Sequence, residues 1–257
     1  MKITVCEFPS EPSRLEPAWA RLVEHVAKSE SDMVVLPEMP FYRWLSQSRE
    51  VDPDEWRRAV QAHDRWIDRF AELAPATVVS TRPAIDGGTQ LNIGFFWEAA
   101  KGVVDVHAKR YLPDEAGFWE ASWYRRGDGD FSPAHTSKAK LGFLICTELW
   151  FTEHARAYGQ QGAQIIVCPR ATPTDTAPKW IAGGQAAAVI AGAFCLSSNL
   201  AGTTSDGGDF AGIGWIIEPE EGVILGLTSS HDPFLTMDVD LATADHAKTT
   251  YPRYVVD

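Results

Sequence analysis

The sequence is short of positive charge, and that shortage narrows the possible functions. Its 257 residues carry 23 Lys and Arg against 35 Asp and Glu, which gives a formal net charge of −12 at pH 7. This sign disfavours a protein that must neutralise the phosphates of nucleic acid or sit on an anionic membrane surface. We therefore expect neither nucleic acid nor membrane among its partners.

Long hydrophobic runs are also missing. The longest mainly apolar stretch, 186–196, is about half of the roughly 20 residues that a membrane-spanning helix needs. The first residues, 1–7, reach a glutamate before any apolar run long enough for the core of a signal peptide. These features predict a cytoplasmic protein.

Cysteine is scarce and scattered. Cys6, Cys146, Cys168 and Cys195 form no Cys-x-x-Cys pair, so the spacing predicts neither a disulfide framework nor a zinc site. The seven histidines form no His-x-His or His-Glu-x-x-His pair, and no glycine-rich phosphate loop is present. We expect free thiols, no metal and no cofactor.

The composition, in contrast, is that of a folded domain. Hydrophobic residues make up 45% and charged residues 23% of the chain, which is ordinary for a globular protein. An α/β domain often exceeds 200 residues as one unit, and we expect a single domain over residues 1–257. Short apolar runs bounded by turn residues predict strands at 3–6, 33–36, 77–80, 93–97, 141–145, 165–168 and 194–197.

Helical spacing of apolar residues fills the gaps between the first strands. It predicts helices over 15–26 and 56–70. Asp52 is placed to cap the second helix, and Glu55 to complete a capping box. Closely spaced strands in 91–107 and 210–238 predict hairpins. The pattern indicates an α/β fold, a mixed layered sandwich rather than a purely parallel sheet.

Three chemically capable residues follow predicted strands. Glu38 lies two residues after the end of the apolar run 33–36, Lys109 follows a strand-like run, and Cys146 directly follows the run 141–145. An acid at a strand end most often accepts hydrogen bonds from loop N–H groups. The combination of acid, cation and thiol at three such ends suggests catalysis instead.

In order and context, these three segments resemble the nitrilase superfamily of carbon-nitrogen hydrolases, whose catalytic Glu, Lys and Cys occur in this sequence order. The likeness runs from Lys2 to about Val239 and, around the nucleophile, is closest to the N-carbamoylputrescine amidohydrolase branch. It implies a four-layer α-β-β-α sandwich with mixed sheets and a cofactor-independent thiol hydrolase. It also implies a second glutamate, which we place at Glu120, with Glu115 as the competing candidate.

The chemistry of amide cleavage gives each of these residues a role. Cys146 is the nucleophile, and a nearby lysine and a helix beginning around Thr152 are expected to raise its thiolate fraction. Glu38 is expected to carry the proton. Lys109 is expected to stabilise the oxyanion together with the backbone N–H of the residue after the nucleophile, Thr147. Glu120 would orient Lys109 or the substrate nitrogen.

Substrate-binding residues are expected close to these segments. Trp119, Trp150 and Phe151 suggest a closed, partly aromatic pocket. Arg170 is a candidate for binding a substrate carboxylate, whereas Glu148 would favour a cationic amine. The two candidates imply opposite substrate charges, and the sequence leaves the choice open.

The sequence therefore predicts a hydrolase that cleaves a non-peptide C–N bond of a small amide or N-carbamoyl amine through a cysteine thioester and releases ammonia. Its partners would be a small amide substrate and water, and it is expected to form a homodimer or a higher homo-oligomer. The alternatives are a nitrile hydrolase, an acyl-transferring relative, or a non-catalytic binding protein on the same fold.

Overall fold

The structure is a computed structural model that describes residues 1–255. The described residues form thirteen strands and six α-helices. The strands are β1 (Lys2–Pro9), β2 (Met33–Val35), β3 (Thr77–Asp86), β4 (Thr89–Glu98), β5 (Gly102–Ala108), β6 (Ala134–His135), β7 (Lys140–Phe143), β8 (Ile165–Arg170), β9 (Phe194–Thr203), β10 (Asp209–Ala211), β11 (Trp215–Ile217), β12 (Ile224–Leu227) and β13 (Phe234–Asp238). The helices are α1 (Leu15–Ser29), α2 (Pro53–Ile67), α3 (Glu120–Trp123), α4 (Thr152–Gln160), α5 (Ala177–Ala191) and α6 (Leu241–Ala247).

The strands follow the order β5-β4-β3-β2-β1-β9-β8-β7-β6, and β1 joins two sheets. Its first part pairs with β2 and β13, and its end, from Glu7 to Pro9, pairs with β9. Strands β3, β2, β1, β9, β8 and β7 are parallel neighbours in turn, whereas β3-β4-β5 and β6-β7 are antiparallel. Both sheets are therefore mixed, as the sequence predicts.

Successive side chains along each strand point to opposite faces of the sheet, and this alternation produces the layers of the sandwich. In β1, Ile3 and Val5 pack with residues of β7, β8 and β9 such as Val167, in a core between the sheets. Phe8, of opposite parity, packs with Trp19 of α1 on the outer side of the first sheet. The other face of β8 and β9 packs against α4 and α5. Two sheets thus face each other with helices outside, which confirms the α-β-β-α sandwich.

Each predicted strand and helix is present, with shifted ends. Asp52 caps α2 by accepting a hydrogen bond of 2.8 Å from the N–H of Asp54. The predicted capping box is wrong, because the carboxylate of Glu55 binds the side chains of Tyr42, Arg43 and Arg58 instead. No helix within residues 1–255 is both long and apolar enough to cross a membrane.

The topology brings three strand ends to one edge. Strands β2 and β7 run in the same direction, since each is connected to β1 through parallel neighbours. Two antiparallel steps return β5 to that direction. The residues that follow β2, β5 and β7 therefore meet at the carboxyl edge, where open α/β sheets generally bind ligands.

Candidate active site

A buried cluster of one lysine and two glutamates lies at this edge. The ammonium nitrogen of Lys109 lies 2.8 Å from Oε1 of Glu38 and 2.6 Å from Oε2 of Glu120. All three side chains are at most 1% exposed. Burying charged groups costs free energy unless they are paired with opposite charges. Here the ammonium is paired with the two carboxylates. The second glutamate of the cluster is Glu120, whereas Glu115 is exposed at the rim of the adjoining cavity.

Glu38 is held by contacts with two neighbouring strands. The chain leaves β2 with the N–H of Leu36 bonded to the carbonyl of Val79, and the side-chain amide of Asn92 donates a hydrogen bond of 2.7 Å to Oε1 of Glu38. The following residue, Met39, has φ +41°, in the region that non-glycine residues seldom adopt. This turn directs the chain away from the sheet immediately after the carboxylate.

Lys109 and Glu120 are also fixed by local structure. The N–H of Lys109 donates to the carbonyl of Asn92 at 2.9 Å, directly after β5 ends. Glu120 is the first residue of α3, and the hydroxyl of Tyr124, one turn later, donates to its Oε2. Sequence analysis missed both Asn92 and Tyr124. The available signal for Asn92 was a polar residue between two apolar ones, Leu91 and Ile93, in β4.

One carboxylate oxygen of Glu38 and one of Glu120 remain without a hydrogen bond in the described residues. Glu38 Oε2 and Glu120 Oε1 are buried and have no hydrogen-bond partner within residues 1–255. Buried polar atoms are nearly always hydrogen-bonded, and the exceptions call for a specific explanation. These two oxygens are available to accept or deliver protons.

Cys146 begins a 3₁₀ helix, Cys146–Trp150, three residues after β7. Its φ is +48°, and such strained backbone at a non-glycine residue tends to occur at functional sites. Its side chain is buried but lines a cavity, so it can be approached only from that side. The arrangement presents one thiol at the end of a strand beside the charged cluster.

Lys109 has the expected effect on the thiol, but the net change in the pKa of Cys146 is opposite to the expected one. Burial raises the pKa of Cys146 above its usual value, and the charge of Glu38 raises it further, while Lys109 only partly opposes this. Burial also raises the pKa of Glu120, to about 7, with Lys109 opposing and Glu38 reinforcing the change. The pKa of Lys109 is raised, because the two carboxylates outweigh burial. The resting site therefore holds a thiol and an ammonium, not a thiolate.

The cavity over Cys146 has a volume of about 520 Å³. Five of its lining residues are aromatic, and the predicted Thr147, Trp150 and Phe151 line it together with Cys146 and Glu120. Charged side chains of both signs also line it. The complete lining is Tyr111, Leu112, Pro113, Asp114, Glu115, Phe118, Glu120, Arg126, Cys146, Thr147, Trp150, Phe151, Ala171, Thr172, Pro173, Thr176, Lys179 and Trp180.

Three predicted substrate-binding side chains lie outside this cavity. Glu148 is fully buried, and its carboxylate binds His107 and two backbone N–H groups. Arg170 is 1% exposed, and its guanidinium binds Ser197, Thr172 and the carbonyl of Ile213. The structure therefore contradicts direct substrate contact for both, and neither fixes the substrate charge.

Trp119 is the third correction. Its ring packs under the guanidinium of Arg49, with the Arg49 Cζ atom 4.8 Å from the ring centroid. The neighbouring residue Phe118 lines the cavity instead. The shift by one residue arises because Glu120 must face the cluster at the start of α3.

The remaining thiols fit a structural role. Cys6, Cys168 and Cys195 are buried and unbridged in the described part of the chain, and burial raises the pKa of each. Within residues 1–255 there is also no group of three or more His, Cys, Asp or Glu side chains placed to hold a metal ion.

Comparisons with known proteins identify the family of this chain. The family model described as carbon-nitrogen hydrolase matches residues 2–249. An N-carbamoylputrescine amidase of Arabidopsis thaliana is 39% identical over 168 residues, 60% of this chain and 52% of the relative. A citrullinase of Francisella tularensis is 24% identical over 155 residues, 58% of this chain and 53% of the relative. These matches span only about half the length of the curated relatives.

The fold also matches a solved structure over nearly its whole length. The crystal structure of a carbon-nitrogen hydrolase from Helicobacter pylori G27 superposes with a TM-score of 0.87, covering 99% of this chain and 94% of that chain at 21% sequence identity. At this level of identity the likeness concerns the fold.

Proposed function

The chain belongs to the carbon-nitrogen hydrolase family, and on that premise we propose that it is a thiol-dependent amidohydrolase acting on a small amide or N-carbamoyl amine. Glu38, Lys109 and Cys146 are its catalytic residues, and Glu120 is the fourth member of the site. The product nitrogen leaves as ammonia.

One observation carries this proposal. A buried ammonium lies between two carboxylates, each with one oxygen that has no hydrogen-bond partner within residues 1–255, and their charges act on the thiol at the wall of a cavity. Amide cleavage requires a nucleophile, a proton carrier and a positive charge near the developing oxyanion. Cys146, Glu38 and Lys109 provide one each.

In the acylation step, the sulfur of Cys146 bonds to the carbonyl carbon while Glu38 takes the thiol proton. The electron pair of the C=O double bond moves to oxygen, and the oxyanion is stabilised by Lys109 and the backbone N–H of Thr147. The tetrahedral intermediate then reforms the carbonyl and breaks the C–N bond. Glu38 returns its proton to the departing nitrogen, which leaves ammonia and a thioester.

In the deacylation step, Glu38 takes a proton from a water molecule that attacks the thioester carbon. The C–S bond breaks, and the sulfur takes the proton back from Glu38. Glu120 keeps the Lys109 ammonium in place through both steps by a hydrogen bond of 2.6 Å. Because the resting thiol is protonated, the base must act at the moment of attack rather than beforehand.

The cavity and the relatives suggest the substrate class. A volume of about 520 Å³ falls in the range of small-molecule sites. Two relatives are named for N-carbamoylputrescine and citrulline, and both compounds contain a ureido group. We propose that ureido compounds and small primary amides are the first substrates to test.

The decisive experiment is an ammonia-release assay over primary amides, ureido compounds and nitriles, combined with mass spectrometry of the protein. We expect release from amides or ureido compounds, abolished in Cys146→Ala and retained in Cys195→Ala, the matched buried thiol. A slowly hydrolysed substrate should leave an acyl adduct on the peptide that contains Cys146.

The other outcomes would replace the proposal. Turnover of nitriles alone would indicate a nitrile hydrolase, and turnover only with an added amine would indicate acyl transfer. Absence of turnover and of any adduct would indicate a binding protein. Homo-oligomer formation and cytoplasmic location stay predictions; light scattering on the purified protein measures the first.

A further inference from the structure

The carboxylate of Glu148 joins the two segments that carry the nucleophile and the lysine. Its Oε1 accepts a hydrogen bond of 2.6 Å from the N–H of Arg110, and its Oε2 accepts one of 2.9 Å from the N–H of Ile145. Arg110 directly follows Lys109, and Ile145 directly precedes Cys146. One buried side chain therefore holds the chain on either side of the catalytic cluster.

His107 completes this connection from β5. Its Nε2 lies 2.8 Å from Oε2 and 3.0 Å from Oε1 of Glu148, and its Nδ1 lies 2.8 Å from the carbonyl oxygen of Asp130. A carbonyl and a carboxylate can only accept, so both ring nitrogens donate and the ring is an imidazolium. Burial lowers the pKa of His107, but the hydrogen bond and charge of Glu148 outweigh it and raise this pKa.

We propose that Glu148, paired with His107, is a positioning residue that sets the spacing between the Lys109 ammonium and the Cys146 thiol. This inference rests on the proposed function, in which that spacing decides the rate. Glu148 does not line the cavity, so it acts through the two segments and not on the substrate.

The local backbone explains why such a connection is needed. Cys146 is held at φ +48°, a conformation that persists only where surrounding contacts fix it. Lys109 lies beyond the end of β5, where regular pairing with β4 stops after Ala108. A displacement of roughly 1 Å at a reacting group can cost about a hundredfold in rate.

The test compares Glu148→Gln with Glu98→Gln. The amide at position 148 keeps the shape but offers one acceptor oxygen, so one of the two backbone N–H groups loses its partner. Glu98 is a matched control at the opposite end of β4 and β5. It is also a buried carboxylate that accepts from a backbone N–H, at 2.7 Å from Ser137, and pairs with a cation, Lys101.

We expect Glu148→Gln to lower kcat by about tenfold to a hundredfold with KM within about twofold, while Glu98→Gln keeps kcat near the unsubstituted value. Both variants should lower the unfolding temperature, since each removes the charge of a buried carboxylate that is paired with a cation. Glu148→Asp, which keeps the charge but is one methylene shorter, should recover part of the lost kcat.

His107→Asn provides an independent arm in case Glu148→Gln does not fold. It should lower kcat in the same way, and the double variant should lose no more than the worse single variant, because both substitutions remove the same pair. If the fold-decreases in kcat of the two single variants instead multiply in the double variant, the two residues act separately and the proposal is overturned.

A second measurement separates this inference from the proposed function. The rate at which iodoacetamide alkylates Cys146, followed by mass spectrometry, reports on the site even if no amide is hydrolysed. We expect Glu148→Gln to lower that rate and Glu98→Gln to leave it unchanged. Unchanged alkylation and kcat in folded Glu148→Gln, or equal losses in both variants, would show that Glu148 only stabilises the fold.

Discussion

The side-chain amide of Asn92 donates a hydrogen bond of 2.7 Å to Oε1 of Glu38. The backbone carbonyl of Asn92 also accepts a hydrogen bond of 2.9 Å from the N–H of Lys109. One residue of β4 thus fixes both the carboxylate that we propose as the proton carrier and the strand end that carries the ammonium. Oε1 of Glu38 is bonded to Asn92 and Lys109, so in the proposed mechanism the proton is carried by Oε2, which has no hydrogen-bond partner within residues 1–255.

The first prediction follows from this contact. We expect Asn92→Ala to lower kcat by about tenfold, the usual scale of one lost hydrogen bond to a charged group, because Glu38 loses its fixed orientation. Asn92→Asp should lower kcat further, since it replaces a donor by a negative charge beside Glu38. Steady-state kinetics of both variants measures this.

The control is Gln90→Ala, two residues earlier on the same strand, where the side chain lines a separate cavity. It should keep normal kcat. Equal activity of Asn92→Asp and the unsubstituted protein would mean that Glu38 is not the proton carrier.

The sequence predicted the parts of the site that depend on local pattern. Glu38, Lys109 and Cys146 each follow a strand or a strand-like run, their order and contexts resemble the nitrilase superfamily, and the structure brings Glu38 and Lys109 together beside Cys146. Asn92, Tyr124 and the pair of Glu148 with His107 could not be read this way. Their roles depend on contacts between segments that are far apart in the chain.

The difference between local pattern and contacts across the fold also explains the predictions that were wrong. The position of Glu55 matched a capping box, but Arg43 and Arg58 reach its carboxylate through tertiary packing. Glu148 and Arg170 were assigned to the substrate because their strand-end positions place them near the nucleophile. Their side chains turn away from the cavity, and periodicity does not determine that direction after a strand has ended. The raised thiol pKa depends on burial, which only the fold reveals.

The second prediction concerns the charge at position 109. The ammonium of Lys109 has no exposed surface and lies between two carboxylates at 2.8 and 2.6 Å. A guanidinium is wider and planar, so Lys109→Arg should displace one of the glutamates and lose about a hundredfold or more in kcat, nearly as much as Lys109→Ala. Turnover near the unsubstituted level in Lys109→Arg would show that Lys109 does not contact the oxyanion.

The third prediction uses the pKa of Glu120, which burial raises from 4.5 to about 7. Between these pH values the folded protein holds a proton that the unfolded chain releases, so this group's contribution to the free energy of unfolding falls as pH rises, until about pH 7. A glutamine does not titrate, so the free energy of unfolding of Glu120→Gln does not fall with pH for this reason. Its unfolding temperature, relative to that of the unsubstituted protein, should therefore rise between pH 5 and pH 8.

Thermal unfolding followed by circular dichroism at these two pH values measures the difference. Above about pH 7, where Glu120 is ionised, the variant should also hydrolyse substrate more slowly, because Lys109 loses an anionic partner. A pH-independent difference in unfolding temperature would mean that Glu120 is already ionised at pH 5 in the folded protein.

The fourth prediction concerns Gly183 and the cavity wall. A Cβ atom at Gly183 of α5 would lie 2.9 Å from Cζ3 of Trp150, which lines the cavity. A Cβ atom at the next residue, Gly184, would lie 2.9 Å from the ring of Trp215, a fully buried residue that does not line it. Because these two glycines have no side chain, two indole rings can pack closely against α5. One belongs to Trp150 at the cavity and the other to Trp215 in the core.

We expect Gly183→Ala to push the Trp150 ring away from α5 and into the cavity, because the half-exposed ring can move while the helix cannot. The KM for a bulky amide should rise about tenfold, which corresponds to about 1.4 kcal/mol of lost binding, while the KM for the smallest accepted amide stays within about twofold. Gly184→Ala should lower the unfolding temperature without changing the ratio of the two KM values. If Gly183→Ala also leaves that ratio unchanged, Trp150 does not limit substrate size, and the aromatic wall serves only to cover the thiol.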